Sequence, residues 1–186
     1  MASELTVQTL RGPTSGANAD TVLIPSGQTL DASNGFIPPA GSVVQVQNAY
    51  SNSQVISSTA GAAIDGVSLS FTPKYDNSKL LIMGRIPIKV YNTTADNDGW
   101  CSIRLVNSTI AIEPEPNNNY EFGANFGQSG WADWRNVGFI QAYHTVTSTN
   151  ADTYKVQAKL YNANDTLTVN ENSLYFSSIT IMEIKQ

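Results

Sequence analysis

Charge, cysteine and histidine are all in short supply in this chain, and each shortage closes off a class of function. Charged side chains make up 13% of the 186 residues, where a soluble domain usually carries about 25%. Ten basic residues are scattered from Arg11 to Lys185 without a cluster, and the formal net charge is −5. Neutralising phosphates takes a basic patch, so no nucleic-acid partner is expected. The single cysteine, Cys101, cannot form an intrachain disulfide. It lies between Trp100 and Ile103 in an apolar run, where it reads as a small buried hydrophobe rather than a nucleophile. One cysteine and one histidine also do not make a zinc site. That histidine, His144, shares a parity with Ile140, Ala142 and Val146, which makes it a core-facing strand residue rather than a catalytic base.

Other absences are as informative. No run approaches the ~18 apolar residues of a membrane span, so no membrane insertion is expected. The first residues, Met1 to Leu5, have neither a basic nor an apolar signal region, which points to synthesis and assembly in a cytoplasm. There is no phosphate loop and no dinucleotide fingerprint, and no metal or cofactor is expected. Glu113 and Glu115 are the one candidate acid pair for a sugar-active enzyme. They stand two residues apart with a proline after each, which makes them a rigid, solvated loop. Asp96, Asp98 and Gly99 lack the spacing and closing glutamate of a calcium loop and read as a tight turn. Without a catalytic set, the expectation is that the protein is not an enzyme.

What fills the chain is Ser, Thr, Asn and Gln in a pattern of period two. Leu80, Ile82, Ile86, Ile88 and Val90 alternate with Lys79, Arg85 and Lys89, and Tyr154, Val156, Ala158 and Leu160 alternate with Lys155, Gln157 and Lys159. Both read as half-buried strands. Further strands are expected at 43–50, 54–58, 67–72, 101–106, 109–112, 136–147 and 166–169, with turns at 73–77, 97–99, 148–152 and 162–165. No segment keeps a helical period. Many short strands with frequent turns predict an all-β protein, an antiparallel β-sandwich of the jelly-roll kind. Leu81 and Met83 fall on the opposite parity from the core of their strand, which fits either cover by a loop or a subunit interface. The last strand is expected to run from Leu174 to Ile184 with apolar residues on both faces, Phe176 in the core, and the C-terminus built into the fold.

Residues 1–41 are patterned differently. Leu5, Val7 and Leu10, then Leu23, Ile24 and Leu30, form short apolar pieces broken by Gly12-Pro13, Ser15-Gly16, Ser26-Gly27 and Pro38-Pro39. Such an arm cannot bury enough surface to offset its ordering entropy. It is either disordered or paired with copies of itself or another protein, and the regular placement of its apolar residues favours pairing. The expected organisation is an extended attachment and oligomerisation arm at 1–41 and a β-sandwich head at 42–186, hinged at Pro38 to Gly41.

One loop stands out, from Glu113 to Arg135. It is rich in Asn and Gly and carries Tyr120, Phe122, Phe126, Trp131 and Trp134. A long loop of this kind in a compact domain is usually functional or disordered, and aromatics at this density argue against disorder. Aromatic rings stack on the C–H faces of sugars while amides read hydroxyls, and the same rings anchor protein interfaces. They also serve as a lid over a core. These five residues are the candidate ligand- or receptor-binding residues.

Several stretches carry a family resemblance: Val67 to Lys74 (VSLSFTPK), Ser78 to Ile82 (SKLLI), Thr153 to Gln157 (TYKVQ) and Ile179 to Ile184 (ITIMEI). Together with Ser3 to Leu10 and Leu23 to Asp31, they resemble the fibre-like virion structural proteins of tailed bacteriophages, cyanophages in particular. The loop at 113–135 matches no pattern of that family, so no ligand carries over with it. The resemblance implies a non-enzymatic virion component and homotrimer, attached to other virion proteins of the tail, baseplate or capsid by its N-terminal arm. The outward β head of a short tail fibre would meet a host-surface glycan or protein. A trimeric capsid decoration protein is the alternative.

Overall fold

Alternation decides which side of each strand meets the core. The computed structural model describes residues 14–16, 22, 26–27, 37–92, 101–108, 111–113, 133–160 and 165–186. The chain divides into two units, Met1–Ile37 and Pro38–Gln186. In the first, Gly16 and Gly27 adopt positive φ; Leu5, Val7, Leu10, Leu23, Ile24 and Leu30 lie outside the described residues. The second contains ten strands among the described residues: β1 (Val43–Ser51), β2 (Val55–Ser57), β3 (Ala63–Phe71), β4 (Lys79–Asn92), β5 (Cys101–Val106), β6 (Ala111–Glu113), β7 (Asp133–Thr145), β8 (Asp152–Leu160), β9 (Asp165–Val169) and β10 (Ser177–Ile184). A single 3₁₀ turn, Glu171–Ser173, joins β9 to β10.

All pairings are antiparallel, and the strands form two sheets. One sheet reads β1-β10-β4-β7 across, with β9 continuing the line of β10 along β4 and β2 beyond β9. The other reads β3-β8-β5-β6. With β2 and β9 set aside, eight strands remain: each step along the chain crosses to the other sheet except the β5–β6 hairpin, and the last strand lies beside the first. That is the double Greek key of a jelly roll. The fold is therefore an all-β jelly-roll sandwich.

The core lies between the sheets. Leu80, Ile82, Ile86, Ile88 and Val90 point inward from β4, and Tyr154, Val156, Ala158 and Leu160 from β8, as their alternation predicts. Close approach of the sheets requires small residues. A Cβ on Gly84 would come within 2.6 Å of Val156 Cγ2 and 2.9 Å of Ile140 Cγ2. At one end of the core, Tyr154 meets Phe71 and His144 edge to face, with ring centroids 6.4 and 6.0 Å apart.

Pro87 sits in the middle of β4, where a proline ordinarily breaks the ladder. Its carbonyl accepts from Asn170 N–H at 3.3 Å. The N–H that proline lacks would point to that same side, where β9 has ended and β10 has not begun. The interruption between β9 and β10 and the proline in β4 thus accommodate each other.

The structure corrects the expected last strand. It begins at Ser177, and its buried parity is Ser177, Ile179, Ile181 and Glu183, while Leu174 and Phe176 are exposed. Asn170 and Asn172, at φ of 56° and 55°, turn the chain out of the sheet before β10 starts. Asparagine tolerates this left-handed conformation better than most residues.

Candidate functional site

The two outer faces of the sandwich differ in chemistry. On the four-stranded sheet, Asp65 (β3), Gln157 (β8) and Arg104 (β5) stand in one cross-strand row. Asp65 accepts from Lys155 Nζ at 2.7 Å and from Gln157 Nε2, and Gln157 Oε1 accepts from Arg104 Nε at 2.7 Å. Burial alone would raise the Asp65 pKa, but its hydrogen bonds to Lys155 and Gln157 and the nearby cations hold it below the ordinary value. This face satisfies its own polar groups.

The outer face of the six-stranded sheet also carries apolar residues. The polarity of β1 is inverted: Gln45 and Gln47 turn inward, while Val46 and Tyr50 are exposed. The reason is Glu183, a fully buried carboxylate on β10. It accepts from Lys74 N–H, Tyr75 N–H, Ser78 Oγ and Gln45 Nε2 at 2.6–3.0 Å. Burial pushes its pKa up, and these donors outweigh that and bring it below the ordinary carboxylate value. Satisfying Glu183 takes β1's amides to the inside and leaves its apolar residues outside.

The registers place the outward residues in rows. Val46, Met182, Leu81 and Tyr143 form one row, Asn48, Thr180, Met83 and Gln141 the next, and Tyr50, Ser178, Arg85 and Phe139 a third. No carboxylate occurs in these three rows. Tyr50 is 77% exposed, Phe139 71% and Tyr143 64%.

A spur formed by residues 170–176 flanks this face. Buried Asn170 donates from Nδ2 to the carbonyls of Ser53 and Gly66, and accepts from Ser177 Oγ at 2.8 Å. Glu171 accepts from Lys89 Nζ at 2.8 Å and from Arg135 Nε at 2.6 Å, and these hydrogen bonds lower its pKa to about 2. A small pocket of about 130 Å³ opens beside this ion pair, lined in part by Pro87, Val137 and Tyr175. Arg85 donates to Phe176 O at 2.6 Å and lies 4.8 Å over the Phe176 ring. Leu174, 79% exposed, and Phe176, 48% exposed, are therefore held on a fixed support.

Of the candidate binding residues expected from the sequence, Tyr120, Phe122, Phe126 and Trp131 lie outside the described residues. Trp134 is described only as backbone, opposite Val90 in β7. The outward Tyr50, Phe139 and Tyr143 were not singled out by the sequence, and Phe176 was expected in the core. The available signal was the second apolar parity of β7, where Phe139 and Tyr143 alternate with Ile140 and Ala142. Leu81 and Met83, marked in the sequence by the second apolar parity of β4, lie in the same rows, half-buried. Cys101 is buried, and burial together with the Asp165 carboxylate pushes its thiol up to about 12, far from a thiolate at neutral pH. His144 is half-buried, and burial lowers its pKa against the opposing pull of Asp152. No group of three metal-ligating side chains occurs among the described residues.

No protein family and no curated protein matches the chain. Among solved structures, it is similar to dimeric latent PorU from Porphyromonas gingivalis, with 11% identity over 90% of this chain and 15% of that one, at a TM-score of 0.38. It is also similar to infectious bursal disease virus Gx strain, with 12% identity over 84% and 40% of the two chains and a TM-score of 0.38. For the VP2 subviral particle of infectious bursal disease virus, the values are 15% identity, 94% and 45% coverage, and 0.35. The chain thus spans less than half the length of each. Likeness at this level carries no argument about function, and the jelly-roll assignment rests on the strand order alone.

Proposed function

We propose that the protein is a non-enzymatic structural component of a virion, a short tail fibre or receptor-binding protein. Its N-terminal segment attaches it to the particle, and its jelly-roll unit meets the host surface. The observation that carries this reading is the outer face of the six-stranded sheet. Its three rows from β1 to β7 expose Tyr50, Phe139 and Tyr143 and hold no carboxylate, while the opposite face is closed by the Lys155–Asp65 ion pair and the hydrogen bonds of Gln157. Exposed aromatics of this kind on a rigid frame are the anchors of recognition surfaces. The stretches that resemble phage fibre-like proteins supply the particle context. Association with itself as a homotrimer and with other virion proteins belongs to the same reading, as does a part in recognition for the loop at 113–135.

The test is competition. Full-length protein added to host cells before infection is expected to lower particle adsorption in proportion to its occupancy of the surface. A protein that is retained on purified particles and leaves adsorption unchanged is a capsid decoration protein instead, with the broad apolar face set against the shell. A protein absent from purified particles contradicts both.

A further inference from the structure

Between β1 and the spur lies a groove of about 420 Å³, within the range of ~300–1,000 Å³ usual for small-molecule sites. Its walls are Tyr50 on one side and Leu174 and Phe176 on the other, and Asn48, Asn52 and Thr180 are among the polar residues that line it. No charged side chain lines it. Arg85, the nearest cation in these rows, is engaged with the ring and carbonyl of Phe176. The side chains of Asn48, Asn52 and Thr180 form no hydrogen bond with another described residue.

We infer that this groove binds a neutral saccharide. The inference rests on the proposed recognition role and names a ligand class for it. Each component matches one feature of a sugar. The electron-rich faces of Tyr50 and Phe176 suit the polarised C–H faces of a pyranose. An asparagine amide offers a donor and an acceptor side by side, and a threonine hydroxyl offers both in one group, which suits adjacent sugar hydroxyls. A groove without charge provides no partner for a carboxylate, phosphate or ammonium, so charged ligands would lose hydration without compensation. Arg85 fixes Phe176 before any ligand arrives, which removes part of the ordering cost of binding. The ligand is therefore an uncharged hexose or N-acetylhexosamine unit, held between two rings and read by amides.

Titration of the full-length, ¹⁵N-labelled protein with the methyl glycosides of glucose, galactose, mannose and N-acetylglucosamine tests this. At least one glycoside is expected to shift the Asn48 and Asn52 amides together with residues 174–178. Tyr50→Ala is expected to weaken that glycoside by roughly tenfold, with little change in melting temperature because Tyr50 is exposed. Asn52→Ala serves as a second variant on the opposite chemistry. If no glycoside moves these signals, or if both variants titrate like the parent protein, the inference is overturned. It is equally overturned if Tyr50→Ala alters the sedimentation coefficient and not the titration, since the groove is then a contact between copies of the chain. Adsorption competition separates this inference from the broader reading. A protein that blocks adsorption yet ignores every glycoside has lost only its saccharide site, whereas one that does neither has lost the recognition role as well.

Discussion

Glu183 shows how one residue orients an element. Every hydrogen bond it makes is accepted from a donor, Lys74 N–H, Tyr75 N–H, Ser78 Oγ or Gln45 Nε2. Glu183→Gln keeps the shape but sets an NH₂ against donors on one side or the other. It is expected to cost ~1–3 kcal/mol, the penalty for an unsatisfied buried group, read from denaturant midpoints. The pH dependence follows from the same contacts. The folded pKa lies below the unfolded value of about 4.3, so the stabilisation is fully present above that value and is lost as pH falls through the folded pKa. Glu171, at about 2 when folded, acts in the same sense and at the surface. The parent protein should therefore lose stability as pH falls from the ordinary carboxylate range toward about 2, the folded value of Glu171, and Glu183→Gln should flatten that slope. Gly84 is a second sensitive residue. Gly84→Ala forces a methyl against Val156 and Ile140, both stiff at χ1, and is expected to cost ~1–3 kcal/mol by overpacking. At this scale the sequence misled at Phe176. Its hydrophobicity placed it in the core, but it is half exposed and Ile179 is fully buried. Ile179→Ala should lower stability by ~2–5 kcal/mol, and Phe176→Ala by clearly less in the same thermal melts.

Elements with clean alternation were legible. The core parities of β4 and β8 follow from their sequences because each strand has one apolar face and one face with lysines, and β5 was expected at its observed bounds. The junction of β9 and β10 was not legible, because it depends on two left-handed asparagines and on a proline in a different strand. Asn170 holds that junction, joining the loop after β1, the bulge at Gly66, Pro87 and Ser177. Asn170→Ala removes three side-chain hydrogen bonds and places a β-carbon residue without local compensation at positive φ. Amide exchange should then speed up across residues 170–178 and at Ser53, while the centre of β8 keeps its protection. Equal loss of protection in β8 would mean the junction is not a local staple. The inverted face of β1 was hidden for a similar reason: Gln45 and Gln47 read as outward until the buried carboxylate across the sheet is known.

For the whole molecule, the jelly roll could be expected from short strands and frequent turns, but the placement of the apolar face could not. That placement depends on which strands become neighbours, and the rows joining Val46 to Tyr143 and Tyr50 to Phe139 each span four strands far apart in sequence. The five aromatic candidates at 113–135 rest on composition alone, and four of them lie outside the described residues. Among the described residues, every buried apolar side chain of the core lies between Val67 and Ile181. Removing residues 1–36 is therefore expected to leave the melting transition of the jelly-roll unit in place while weakening self-association in sedimentation. The proposed role is tested most directly by electron microscopy of intact particles at a resolution that places the sandwich. The account predicts density for it at the tail, with Tyr50, Phe139 and Tyr143 turned to solvent. Density over the head, with that face against the shell, would contradict it.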